Sequence, residues 1–174
     1  MDCRVGPGHE ASGNLAYMIQ DFLAAYEASA LGQAARETVW LYPLANLAHV
    51  LGAALLVGSI VVFDILVLRR RYADAAAAAS VVIPLAATGL ALQAASGIVL
   101  FSAEATAVGR NPAFLFKMVF LLIGLANVIA FHSFHRLAGL AAEGGPPASV
   151  RLNAMVSIGA WILVLLAGRA IAYG

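Results

Sequence analysis

The sequence predicts an all-α integral membrane protein, a four-helix bundle preceded by an amphipathic interfacial helix. Three observations predict it. Four long apolar runs fill residues 44 to 68, 81 to 102, 112 to 137 and 150 to 172, and each approaches the roughly 20 residues that a helix needs to cross hydrocarbon. Of 174 residues, 63% are hydrophobic and 11% charged, far more apolar than a water-soluble domain. Ionisable side chains also recur at matched depths: His49 and Asp64 in the first run are fifteen residues apart, as are Lys117 and His132 in the third. Ionisable groups inside a bilayer are candidates for function.

Two regions follow, a tail with an amphipathic helix over residues 1–43 and the bundle over 44–174. Residues 1–13 are rich in glycine, proline and polar groups and read as a loose terminus. From Asn14, an acceptable N-cap, Leu15, Met18, Ile19, Phe22, Leu23 and Tyr26 recur at helical spacing, with Gln20, Asp21 and Glu27 largely opposite. This predicts one helix to about Ala35, lying on the membrane surface or covering the mouth of the bundle. Trp40 and Tyr42 suit the headgroup layer, and Pro43 marks entry to the first span. With no basic, cleavable leader, that span is expected to be its own insertion signal.

The first span ends at Arg69, Arg70 and Arg71, and the loop after the third adds Arg136 and Arg151. The opposite face has Arg36, Arg110 and Arg169. The positive-inside rule makes the arginine-rich side cytoplasmic and puts both termini outside a bacterial inner membrane. The run Ala75 to Ala79 favours helix and extends the second span. Thr88, Gly89, Gln93, Ser96 and Gly97 in that span read as a packing face that lets helices approach closely. Asn111 caps the third span, Pro112 takes its first position, and EGGPPAS breaks the chain before the fourth.

Cys3 is the only cysteine, which excludes an internal disulfide and a CxxC site. A net charge of +1 without a basic, aromatic-interleaved stripe leaves nucleic-acid binding without support. No nucleophile, acid-base pair or nucleotide motif marks a self-contained catalytic site.

With alternating helix directions, His49, Lys117 and Arg169 share an outer layer. An imidazole beside two cations suits a haem, with His49 on iron, Met118 as a sixth ligand, and Lys117 and Arg169 toward the propionates. The competing reading sends the two cations to headgroup phosphates and His49 to a neighbouring helix. Asp64, His132 and His135 form an inner layer able to bind a divalent metal, relay protons or pair structurally. The competing reading pairs Asp64 with Arg69, Arg70 or Arg136 in a salt bridge and leaves His135 at the interface. The layers are about 20 Å apart by helical rise, so their histidines cannot share one iron.

The segments LAHVLGAALLVGSIVVFD and NPAFLFKMVFLLIGLANVIAFH carry a histidine early in the first span, Gly58 in a small-residue stretch, and a lysine early in the third. In these features the chain resembles bacterial four-helix inner-membrane proteins related in pattern to copper-resistance D-type domains and loosely to the di-haem cytochrome b561 class. The resemblance implies a bundle handling haem b or copper, with His49 the inherited ligand. The two opposed histidine pairs of cytochrome b561 are absent here, and Met1, Met18, Met118 and Met155 do not cluster.

The expected function is therefore a haem b-binding electron-transfer protein or membrane subunit of a redox complex, with a quinone as partner. The alternatives are a non-haem transport or assembly protein using Asp64 and His132 as a proton or metal relay, and a structural subunit of a larger complex. A span set this small points to a homo-oligomer or a complex in either case.

Overall fold

A computed structural model describes residues 7–134 and 148–173, with side chains over 14–131 and 148–173. Its described residues form helices α1 Pro7–Glu27, α2 Ala30–Glu37, α3 Leu41–Leu68, α4 Tyr72–Ala103, α5 Ala105–Arg110, α6 Pro112–Phe134 and α7 Ala148–Ala170, then a 3-10 turn Ile171–Tyr173. Four helical segments, Leu41–Leu68, Tyr72–Ala103, Pro112–Phe131 and Ala148–Tyr173, are long and apolar enough to cross a membrane. The chain is a multi-pass membrane bundle, as its apolar runs require.

The amino-terminal region differs from the single helix expected between Asn14 and Ala35. Helix α1 already starts at Pro7, because proline presets the dihedral of a first turn. Asn14 is thus inside the helix and caps nothing. The helix then stops at Glu27, and Ser29 restarts it as α2 by accepting the Gly32 N–H with its hydroxyl at 3.3 Å. That cap turns one amphipathic rod into two.

Helices α3 and α4 are joined by Arg69, Arg70 and Arg71. The Arg70 N–H donates to Val67 O at 3.0 Å and the Arg71 N–H to Leu66 O at 2.9 Å, while Arg70 has a φ of 59°. This is a Schellman stop with arginine where glycine is usual. The alanine run lies within α4, with Ala75 and Ala79 buried. At the start of α6, Asn111 Oδ1 accepts the Ala113 N–H at 2.8 Å, so the expected cap is made. Of EGGPPAS, residues 143–147 lie outside the described residues, and α7 begins at Ala148.

Helix α3 packs most closely on α4 and also on α7, which pairs with α6. The spans form an open arc in the order α4, α3, α7, α6. At the α3–α4 crossing, a Cβ on Gly89 would sit 2.5 Å from Leu56 N and 2.8 Å from Gly52 O, so only glycine permits this separation. Leu56, Val57, Trp161 and Val164 form one buried cluster; Val67, Ala75, Phe131, Val150 and Ala154 form another nearer the arginine turn. Large apolar residues also point outward, Val50 being 60%, Leu122 63% and Leu166 61% exposed, as in a protein whose solvent is lipid.

Helices α1, α2 and α5 gather at the end where α4 stops and α6 starts. Arg36 Nη1 donates to Glu27 O and to Ala103 O, each at 3.0 Å, and Tyr26 Oη donates to Ile98 O at 3.2 Å. Glu27 Oε2 accepts from the Thr106 N–H at 2.8 Å and its hydroxyl at 2.6 Å, capping α5 from another helix. The Thr106 hydroxyl, then its backbone N–H, hold the Glu27 carboxyl below its usual 4.5, helped by the Arg36 charge. Leu15, Met18, Ile19 and Phe22 stay exposed along α1.

Candidate functional site

The outer layer is partly assembled. Lys117 Nζ lies 3.3 Å from His49 Nε2, so the matched depths of α3 and α6 bring these two side chains together. The other ring nitrogen, Nδ1, is 3.0 Å from Ser96 Oγ. Because the Ser96 hydroxyl donates to Leu92 O at 2.6 Å, its oxygen is left to accept the Nδ1 proton, and Nε2 then presents a lone pair to the ammonium. Gln93 Nε2 donates to His49 O at 2.9 Å. An added Cβ on Gly97 would stand 3.3 Å from the imidazole. The face of α4 read as packing therefore also clamps the histidine by hydrogen bonds.

Arg169 and Met118 do not complete this layer. Although Gly168 lies beside the Lys117 side chain, the Arg169 guanidinium turns to Tyr173, donating to its hydroxyl and lying 4.9 Å from its ring centroid. Met118 is 37% exposed. A haem needs an imidazole nitrogen facing iron, and both nitrogens of His49 are engaged within the bundle. These residues do not fit the group.

The inner layer holds a second arrangement. Phe63 of α3 meets Phe131 of α6 edge-on at a centroid distance of 5.5 Å, which sets the level of Asp64 near the end of α6. The side chain of His132 and all of His135 lie outside the described residues, as does Arg136. Asp64 is 5% exposed and pairs with neither Arg69 nor Arg70. Among the described residues the one salt bridge is Arg71 with Asp74, and no group of three or more His, Cys, Asp or Glu side chains stands together. Ser157 of α7 is beside the Asp64 carboxyl, whose Oδ2 has no partner among the described residues.

Asp64 lines a half-open cavity of about 330 Å³ bounded by all four spans. The walls are apolar except for Ser59, Asp64, Asn127, Asn153 and Ser157 and the indole of Trp161. Asn127 and Asn153 pair across α6 and α7, with Asn153 Nδ2 donating to Asn127 Oδ1 at 2.9 Å and Asn127 Nδ2 to Asn153 O at 3.1 Å. In contrast, Ser59 Oγ, Asp64 Oδ2 and Trp161 Nε1 are buried without partners among the described residues, and all three residues line the cavity. Helices α4 and α6 meet through the stacked rings of Phe101 and Phe114, 5.1 Å between centroids, but their backbones do not pack closely, so the gap in the arc lies farther along, beside the exposed Ile83 and Ala87.

Sequence reasoning found Asp64 but missed its companions. The signal was present: Asn153, Ser157 and Trp161 recur every four residues on one face of an otherwise apolar helix. The chain matches no family model, no curated protein and no solved structure. The chemistry of the cavity must carry the functional reading.

Proposed function

We propose that this is a non-haem membrane protein of the carrier or transport type, which binds a lipophilic small molecule in the cavity at Asp64. One observation supports the reading: a single intramembrane space is lined by Ser59, Asp64 and Trp161, each of which has a buried polar atom with no partner among the described residues. Leaving a buried donor or acceptor unmade costs about 1–3 kcal/mol, and such groups in a native fold call for an occupant able to bond them. A space of about 330 Å³ falls at the lower end of ordinary small-molecule sites. The arginine excess at the α3–α4 turn supports a bacterial inner-membrane orientation with that turn inside and both termini outside.

Mass spectrometry of extracts from the purified protein tests this reading. A compound other than phospholipid should accompany the native chain at close to one per chain. It should be depleted in Ala86→Leu, where a larger side chain enters the cavity from the wall of α4. Native and variant preparations equally free of any such compound would overturn the proposal.

A further inference from the structure

The polar end of this cavity is acidic and, among the described residues that line it, has no counter-ion. Asp64 is the only ionisable side chain among the described lining residues. Of the described residues, α6 contributes Asn127 and Phe131 to the lining, α7 contributes Asn153, Ser157 and Trp161, and α4 only apolar side chains such as Val82 and Leu90. An ionised carboxylate in a medium of low dielectric is costly unless a cation joins it. Phe63, Phe131 and Trp161 supply aromatic surface to the cavity lining, which attracts a positive charge through the ring quadrupole. No arginine or lysine of the described lining competes for the carboxylate.

We infer that the cavity selects a lipophilic organic cation, an amine or onium compound, which enters between α4 and α6 and sets its charge against Asp64. The inference rests on the carrier reading and names its ligand class. A cation with apolar arms satisfies both parts of the wall: its charge meets the carboxylate, and its hydrocarbon covers Leu56, Ile60 and Leu90. Lateral entry follows from the gap in the helix arc, because a ligand of this kind is concentrated in the bilayer. The outer His49–Lys117 pair contributes a cation of its own and lies about 20 Å away by helical rise, too far to neutralise Asp64.

The test uses full-length protein in nanodiscs, with empty nanodiscs as the blank. Three probes are titrated by equilibrium dialysis: tetraphenylphosphonium, the smaller benzyltrimethylammonium, and neutral triphenylphosphine oxide. The fluorescence of Trp161 in a Trp40→Phe background gives a second readout from inside the cavity. At least one cation should bind saturably and more tightly than the neutral probe. Asp64→Asn should weaken it about thirtyfold or more, the loss expected when one member of a buried charge pair is removed, while Asp64→Glu retains it and helix content by circular dichroism is unchanged. Should Asp64→Asn not fold, loss of cation binding in a folded Ala86→Leu variant, with selectivity for cation over neutral probe in the native chain, still supports the inference. Saturable binding of the neutral probe alone, or of all probes indifferent to Asp64→Asn, overturns the cation inference and leaves the cavity reading standing. Saturable binding of none of the three overturns both.

Discussion

At the residue scale, the bundle pays for its polar groups in two different ways. His49 is satisfied from within, its two nitrogens taken by Ser96 and Lys117 and its carbonyl by Gln93, so it is bound into the fold whatever else it does. Asp64, Ser59 and Trp161 line a cavity, each with a buried polar atom that has no partner among the described residues, and that asymmetry is what the proposed binding role rests on. Arg70 is a third kind of case, since its φ of 59° places a β-carbon in the left-handed region. The side chain costs about 1–2 kcal/mol there, offset in part by the extra freedom glycine gains in the unfolded chain. Arg70→Gly should therefore stabilise the α3–α4 hairpin by about 0.5–1 kcal/mol, read as a shift in the unfolding midpoint in detergent. An unchanged or lowered midpoint would mean that the guanidinium makes up the difference through the membrane surface.

At the element scale, the amino-terminal cap is tied down by one carboxylate. Glu27 closes α1 onto α5 through both donors of Thr106, and its carboxyl titrates below its usual 4.5. A depressed value in the folded state means that the carboxylate's contribution is present at neutral pH and is lost as pH falls through the folded pKa. Between pH 7 and about 5 the α1–α5 distance, measured by spin labels on exposed positions of the two helices, should be constant. Below the usual carboxylate range the distribution should broaden, and Glu27→Gln should show that broadening already at neutral pH. The spans themselves should keep their helix content throughout, because this tie lies outside them.

Legibility differed between these elements for physical reasons. The four spans were readable because a bilayer permits only long apolar helices, and the Asn111–Pro112 start was readable because a cap is a local event. The break at Ser29 was not, since Ser29 lies within a continuous amphipathic pattern and acts as a cap only once Gly32 packs against Ser102 and Glu27, where a Cβ would collide with both carbonyls. Matched depths brought His49 to Lys117, whereas nothing in the spacing told which way the long Arg169 side chain would turn. The cavity was hidden because it is a property of four helices together. Asn127, Asn153 and Ser157 each look like ordinary packing residues until the arc places them around one space.

At the scale of the whole molecule, the arc α4, α3, α7, α6 is closed between its end helices only by the stacked Phe101 and Phe114, and the cavity of about 330 Å³ lies where closer packing of α4 on α6 would be. In a protein kept only for its packing, such a space is a loss: each vacant volume forfeits dispersion contacts that a larger side chain would make. Filling it should then help the fold and harm the function, which is the trade expected of a binding site. Ala86→Leu adds methylenes at the wall of α4, beside the cluster of Leu56, Val57, Trp161 and Val164 that Ala86 already touches. Without ligand, this variant should unfold at a midpoint equal to or above the native one, by up to about 1–2 kcal/mol for burying the added carbons. Added tetraphenylphosphonium should raise the native midpoint and leave the variant's where it was, as mass action requires when only one of the two has a site. A variant that is destabilised without ligand would place that wall in tight packing, and would mean that the spans close against each other more fully than an open arc allows.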